Sequence, residues 1–301
     1  MDKKQPCCYD MNQICQEYVS YLTKIQQSGP TQIQGIIRVI QAFGYYLKKN
    51  SIELTNINIE HVDNFLMISY ASHAKTTQRL YRSCLRCFLR YLYNERNLIR
   101  QNLADLLIGP PMFAKVKPPQ FLRPNEVRQL FDSLPHSTAC ELRTYAQVHL
   151  AYFMGLRPIE ISHITLDDIS FTKGLLSVKN RKNNTPIQLP IPEDVLKAIT
   201  AYIVGGRPKS RYRSLFLIFW PNPTPMSAGL TGQYLTKALR DAGLPGTAYW
   251  LRHTFAQNML ESGARIFEIK EMLGHDTIES TRQYLSIHTA LMRRVLFDET
   301  V

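Results

Sequence analysis

Apolar side chains recur every three or four residues over much of the chain. The first four blocks of this kind are CYDMNQICQEYVSYLTKI, GIIRVIQAFGYYLKK, EHVDNFLMISY and TTQRLYRSCLRCFLRYLYN. Such spacing gathers the apolar residues on one side of a helix, so the blocks predict a small helical bundle. The pattern then stops in GPPMFAKVKPPQFLRP, residues 109–124, which holds five prolines. Proline removes backbone donors and favours extended chain. Residues 109–120 are therefore predicted to link a helical domain at 1–108 to a second domain at 121–301.

Beyond the linker the pattern is mixed. PNEVRQLFDSL and RTYAQVHLAYFMG have helical spacing, and so do PEDVLKAITAYIV, WLRHTFAQNMLESG, ARIFEIKEMLGH and TIESTRQYLSIHTALMRRVLF. KGLLSVKNRKNNTPIQLPI predicts a strand, a polar turn and a second strand. GGRPKSRYRS is expected to be a basic, mobile, solvent-exposed loop. The expected fold class is mainly α with a small β-hairpin, an α+β arrangement. No internal repeat or low-complexity tract is visible.

The last N-terminal block carries a second pattern. At about 100° per residue from Arg79, Arg82 falls near 300°, Arg86 near 340° and Arg90 near 20°, opposite Phe88 near 180°. A solvated face normally mixes signs, whereas this ridge contains no acid. Such a ridge suits a phosphate backbone, where each contact releases counterions. The composition agrees, with a formal net charge of +12. That excess implies a polyanionic partner, most commonly nucleic acid. No apolar run reaches the roughly 18 residues of a membrane span, and MDKKQPCCYDMNQ lacks the apolar core of a signal peptide. The expectation is a soluble cytoplasmic, nucleoid-associated protein without a membrane partner. Cys7, Cys8, Cys15, Cys84, Cys87 and Cys140 have no metal-binding spacing beyond one C-x-x-C, so mostly buried reduced thiols and no metal are expected.

Several short motifs carry candidate chemistry. In GLRPIEI, Gly155 is placed to end one helix and Pro158 to open the next, which sets Arg157 at a helix N-terminus where an anion is favoured. LRHTFA holds Arg252 early in a helix. The turn NRKNNT presents Lys179, Arg181 and Lys182. In MLGHDTIESTRQYLSI, Gly274 breaks a helix, Asp276 with Glu279 resembles a capping box, and Tyr284 follows His275 by nine residues.

In this order these motifs resemble the catalytic domain of the tyrosine recombinases, the phage-integrase and Xer-type family, over about residues 121–297. TTQRLYRSCLRCFLRYL resembles the DNA-facing helix of that family's helical core-binding domain. The resemblance implies a site-specific recombinase that attacks a DNA phosphodiester with Tyr284, forming a 3′-phosphotyrosine and releasing a 5′-hydroxyl. Arg157, Arg252 and His275 match the residues that stabilise charge on the phosphate. Lys182, eight residues before Pro190, matches the general acid, with Lys179 the second candidate. Glu160 holds the family's acidic position and is expected to orient its neighbours. Neither metal nor other cofactor is implied, because the covalent intermediate conserves the bond energy.

One position departs from the family. Three residues before Arg252 the family usually has histidine, and here stands Tyr249, which donates a hydrogen bond but carries no positive charge at neutral pH. His253 is expected to be structural, and His288 is assigned no role. Thr76, Arg79, Arg82, Arg86, Arg90, Lys115, Lys117 and Arg181 are the expected DNA contacts. The resemblance further implies double-stranded DNA as partner and a homo-tetramer in the synaptic complex. For the tail Leu291–Phe297 two readings stand, packing on its own domain or docking on a neighbouring subunit. Two rival functions also stand: a nicking–closing enzyme like the type IB topoisomerases, and a DNA-binding relative without chemistry. Retention of Arg157, Lys182, Arg252, His275 and Tyr284 argues against the second.

Overall fold

The computed structural model describes residues 10–25, 30–107, 119–179, 181 and 186–274. Those up to 107 belong to one compact unit and those from 119 to another. Lys115, Lys117, Lys182, His275, Tyr284, the Asp276–Glu279 box, His288 and the tail Leu291–Phe297 lie outside the described residues, as does most of the proline-rich stretch.

The first unit contains α1 (Met11–Lys24), α2 (Pro30–Lys49), α3 (Ile59–Tyr70), α4 (Lys75–Asn94) and the single turn α5 (Leu103–Leu106). The four long helices coincide with the four periodic blocks. Asp10 caps α1 by accepting from the Asn12 amide at 2.9 Å, and Asn58 caps α3 by accepting from the His61 amide at 3.0 Å. Their apolar faces close over an aromatic core in which Tyr18 meets Phe88 edge-on at 5.2 Å and Phe43 meets Phe65 at 5.1 Å. On α4 the buried residues are Leu85, Phe88, Leu89, Tyr91 and Leu92; all but Leu89, which falls near 280° beside Arg82, lie between about 120° and 240°, facing away from the arginines.

The arginine ridge is less uniform than its spacing suggests. Thr76, Arg79 and Arg90 are exposed, whereas Arg82 and Arg86 are half-buried. Arg86 donates to the carbonyl of Leu107, and Arg90 lies 3.6 Å from Asp105. Both partners come from α5 or its end, a turn too short to show a period. The cysteine expectation also needs correction. Of the four described thiols only Cys15 is buried, Cys84 is intermediate, and Cys87 and Cys140 are exposed. Cys87 falls near 80° on the α4 wheel, about 100° from Phe88 and so at the margin between the buried face and the arginine ridge.

The second unit is built around α7. Its helices are α6 (Pro124–Ser133), α7 (Ala139–Phe153), α8 (Pro158–Ser162), α9 (Glu193–Gly205), α10 (Ala228–Asp241), α11 (Ala248–Glu261) and α12 (Ile266–Leu273). Its strands are β1 (Ile169–Ser170), β2 (Leu175–Val178), β3 (Ile187–Pro190), β4 (Leu217–Ile218) and β5 (Thr224–Pro225). The predicted hairpin is β2–β3, antiparallel, with Leu175 opposite Pro190 and Val178 opposite Ile187, and β1 adds a third strand beside β2. α9, α10 and α11 pack on α7, whose Ala146, Val148, Leu150 and Ala151 are fully buried. The sequence pattern missed α10, whose glycines, threonines and charges break its apolar stripe, and β4 and β5, at two residues each.

A buried arginine and a half-buried one tie loops to this core. Arg143 of α7 donates to the Leu217 carbonyl at 2.8 Å and stacks on the rings of Phe219 and Tyr234 at 4.7 and 4.5 Å. Arg207 corrects the expectation of a mobile loop at 205–214. Its guanidinium donates to the carbonyls of Tyr212 at 2.7 Å, Ser214 at 2.8 Å and Leu215 at 3.1 Å, so one side chain folds the loop around itself. Only Lys209, Arg211 and Arg213 of the loop's basic residues stay exposed, and Arg213 pairs with Asp167.

Phe88 has no solvent exposure and joins α4 to α1. Phe88→Ala is expected to destabilise the first unit by about 3–5 kcal/mol, read as a lower urea midpoint in denaturation followed by circular dichroism. A midpoint equal to that of the wild type would contradict this packing.

Candidate active site

The site is organised by one helix end. α12 stops at Gly274, which takes a left-handed conformation with φ of 61°. A helix C-terminus leaves its last carbonyls without intrahelical donors and concentrates partial negative charge there. Three arginines supply the donors. Arg157 donates to the carbonyls of Leu273 at 3.0 Å and Gly274 at 3.2 Å. Arg181 donates to those of Glu271 at 3.0 Å and Met272 at 2.6 Å. Arg252 donates to the Leu273 carbonyl and, at 2.5 Å, to that of Gly155.

Among the described residues one carboxylate joins the three. Glu160 is 2% exposed. Its oxygens lie 2.8 Å from Arg157, 3.5 Å from Arg252 and 3.9 Å from the Arg181 Nε. It also accepts from the Arg157 amide at 2.7 Å. Arg157 does cap α8, as its spacing predicts, but that helix spans five residues and Glu160 already occupies the capping amide. Among the described residues three guanidinium groups therefore surround one carboxylate, and each also donates to neutral carbonyls, which orient it without adding negative charge.

Local backbone makes these approaches possible. Gly155 follows α7 with φ of 62°, and a Cβ there would lie 2.4 Å from the Phe255 ring. This turn reverses the chain so that its carbonyl faces Arg252 while Arg157 enters α8. Gly274 is required twice, because its φ is left-handed and a Cβ would lie 2.6–2.8 Å from the Arg181 guanidinium. The second unit's N-terminal segment is held nearby, where the Leu122 amide donates to Thr254 Oγ1 of α11 at 2.9 Å.

The predicted site residues thus have different placements. Arg157, Glu160 and Arg252 come together. Arg181, expected among the DNA contacts, joins them with its side chain 3% exposed. It is drawn inward by the α12 carbonyls, and nothing in NRKNNT distinguishes it from its lysine neighbours. Burial lowers the Arg181 pKa from its usual value, with Glu160 opposing that shift.

Lys179 is held away at the base of the hairpin, 2.6 Å from the buried Asp168. Burial alone would raise the Asp168 carboxyl, but hydrogen bonds from Lys179 and Thr165 hold it below its usual value. The same hydrogen bond and charge raise the Lys179 pKa. Tyr249 lies in the first turn of α11 and is 52% exposed. His253, next to Arg252, is pushed down to about 4 by burial and then by the Arg252 charge.

This basic centre is seated on a helix end, next to a β-hairpin, in the second unit of a mostly helical protein. Comparison with known proteins gives its class. The family model described as "Phage integrase family" matches residues 120–290. The chain is 25% identical over 285 residues to a tyrosine recombinase of Thermosipho africanus, covering 92% of this chain and 96% of that protein. It is 27% identical over 290 residues to tyrosine recombinase XerD of Listeria monocytogenes, covering 92% and 95%. A similar solved structure is the XerH site-specific recombinase bound to a palindromic difH substrate, with a TM-score of 0.72 at 17% identity over 95% of this chain and 84% of that one. The chain belongs to the phage integrase family and is a tyrosine recombinase, a class of enzyme that cleaves and rejoins DNA.

The depressed His253 has a consequence for stability. Between its reference value of 6.5 and about 4, the unfolded chain binds a proton there that the folded chain does not. This residue's contribution is therefore fully present above the unfolded value and is lost as pH falls through that window. His253→Gln is expected to flatten that part of the curve of unfolding free energy against pH, measured by urea titration at several pH values. Identical slopes for both proteins would exclude this linkage.

Proposed function

We propose that this recombinase cuts DNA at a defined site with Tyr284 as nucleophile. The phenolic oxygen forms a bond to phosphorus, the bond from phosphorus to the 5′-oxygen breaks, and a 3′-phosphotyrosine remains. Arg157, Arg252 and His275 hold the nonbridging oxygens, where negative charge builds in the transition state. The 5′-oxygen leaves with a proton from Lys182. Lys182 is preferred to Lys179 because the Asp168 pair holds the Lys179 proton more tightly. The cluster of Arg157, Arg252 and Glu160 at the end of α12, directly before His275 in sequence, is the observation that carries this reading.

The same reading extends to the partners. Thr76, Arg79, Arg82, Arg86, Arg90, Lys115 and Lys117 meet the DNA backbone, so binding weakens with salt. Four copies synapse two sites, with Leu291–Phe297 docking on the neighbouring subunit. The protein works in the cytoplasm on the nucleoid. The chemistry needs neither metal nor another cofactor. Among the described residues, no helix is long and apolar enough to cross a membrane.

Covalent trapping in EDTA on DNA fragments flanking the protein's own gene tests the reading. Wild type is expected to give detergent-resistant adducts whose ends map the site, and Tyr284→Phe none. Tight, salt-sensitive binding without an adduct would sink the nucleophile assignment. Exposed Tyr249 is assigned a hydrogen bond to the phosphate. Tyr249→Phe is expected to slow adduct formation about tenfold, as loss of one hydrogen bond to a charged group implies. An unchanged single-turnover rate would remove that role.

A further inference from the structure

Among the described residues Arg181 is the one cation of the cluster that comes from the β2–β3 turn, and its burial sets it apart from ordinary turn arginines. Its two Nη atoms bridge consecutive carbonyls, Glu271 at 3.0 Å and Met272 at 2.6 Å, while its Nε faces Glu160 at 3.9 Å. The fork fits two carbonyls as a single ammonium could not. Gly274 leaves room for the guanidinium, since any Cβ there would lie within 2.6–2.8 Å of it. With its side chain 3% exposed, Arg181 is closed off from a DNA backbone. Its partners instead fix the hairpin to the helix whose end Arg157 and Arg252 grip. The next residue in the chain is Lys182, and the residue after Gly274 is His275.

We infer that Arg181 is a positioning residue that pins the β2–β3 turn to the end of α12 and so sets Lys182 to protonate the leaving 5′-oxygen. This rests on the assignment of Tyr284 and Lys182 given above. Arg181 itself touches neither phosphate nor leaving group. Its contribution enters through the geometry of its neighbour, where displacement by about 1 Å costs roughly 10²-fold in rate.

The leaving group supplies the test. A duplex carrying the mapped site is made with oxygen or with sulfur at the bridging 5′ position of the scissile phosphate. A thiol ionises near about 8.5, so sulfur departs without a proton donor, whereas an alkoxide does not. Arg181→Met is expected to slow single-turnover adduct formation by roughly 10²-fold on the oxygen duplex and only a few-fold on the sulfur duplex, matching the profile of Lys182→Met. Arg181→Lys, which keeps charge but cannot span two carbonyls, is expected to fall between wild type and Arg181→Met on oxygen.

Equal losses on both duplexes would overturn the inference, because a defect in fold or in phosphate stabilisation ignores the leaving atom. So would an undiminished rate on oxygen. Wild type that forms no adduct on either duplex would instead overturn the assignment of Tyr284, on which the inference depends. The sulfur duplex also reports whether each variant is folded and binds DNA, since a misfolded variant is inactive on both.

Discussion

The geometry of the candidate site depends on how the end of α12 is satisfied. Four successive carbonyls, from Glu271 to Gly274, accept from Arg157, Arg181 and Arg252, side chains drawn from three separate parts of the chain. A helix end buried without partners is costly, and here its demand for donors gathers three arginines in one place. Carbonyls suit this purpose better than carboxylates would. They fix the direction of each guanidinium without adding negative charge, and among the described residues Glu160 supplies the one carboxylate at the centre. A second acid in the cluster would turn it toward a closed ion-pair network.

The remaining elements bring these groups to one place. α7 is the buried axis on which α9, α10 and α11 pack, and the left-handed turn at Gly155 sends the chain from α7 into α8. The hairpin is held at two points. Asp168 grips Lys179 near its root, and the α12 carbonyls grip Arg181 in its turn. Charge is thus used in two ways within a few residues of chain, as an ordinary ion pair at Lys179 and as a set of neutral hydrogen bonds at Arg181.

Much of this was legible in the sequence, for identifiable reasons. The four helices of the first unit bury one face each, so their periodicity survives. β2 and β3 were visible because a polar turn separates two apolar runs. Arg157 and Arg252 sit in motifs whose glycine, proline and helical context can be read locally. What escaped depends on distant partners. α10 carries an interrupted apolar stripe, and β1, β4 and β5 are too short to alternate. Arg207 looks like part of a solvated basic loop until the carbonyls around it are known. Arg181 looks like one more turn cation, and only the end of α12, some ninety residues later, makes it a buried residue.

The close fit of Arg181 over Gly274 has an evolutionary side. Space for the guanidinium exists because position 274 has no side chain, and the fork in turn fills the hollow that the missing Cβ leaves. Drift at either position alone is penalised: a side chain at 274 evicts the arginine, and a smaller residue at 181 opens a void beside orphaned carbonyls. The two positions, far apart along the chain, are therefore expected to constrain one another, and a hybrid that joins one lineage's residue 181 to another's residue 274 is expected to fail at this contact.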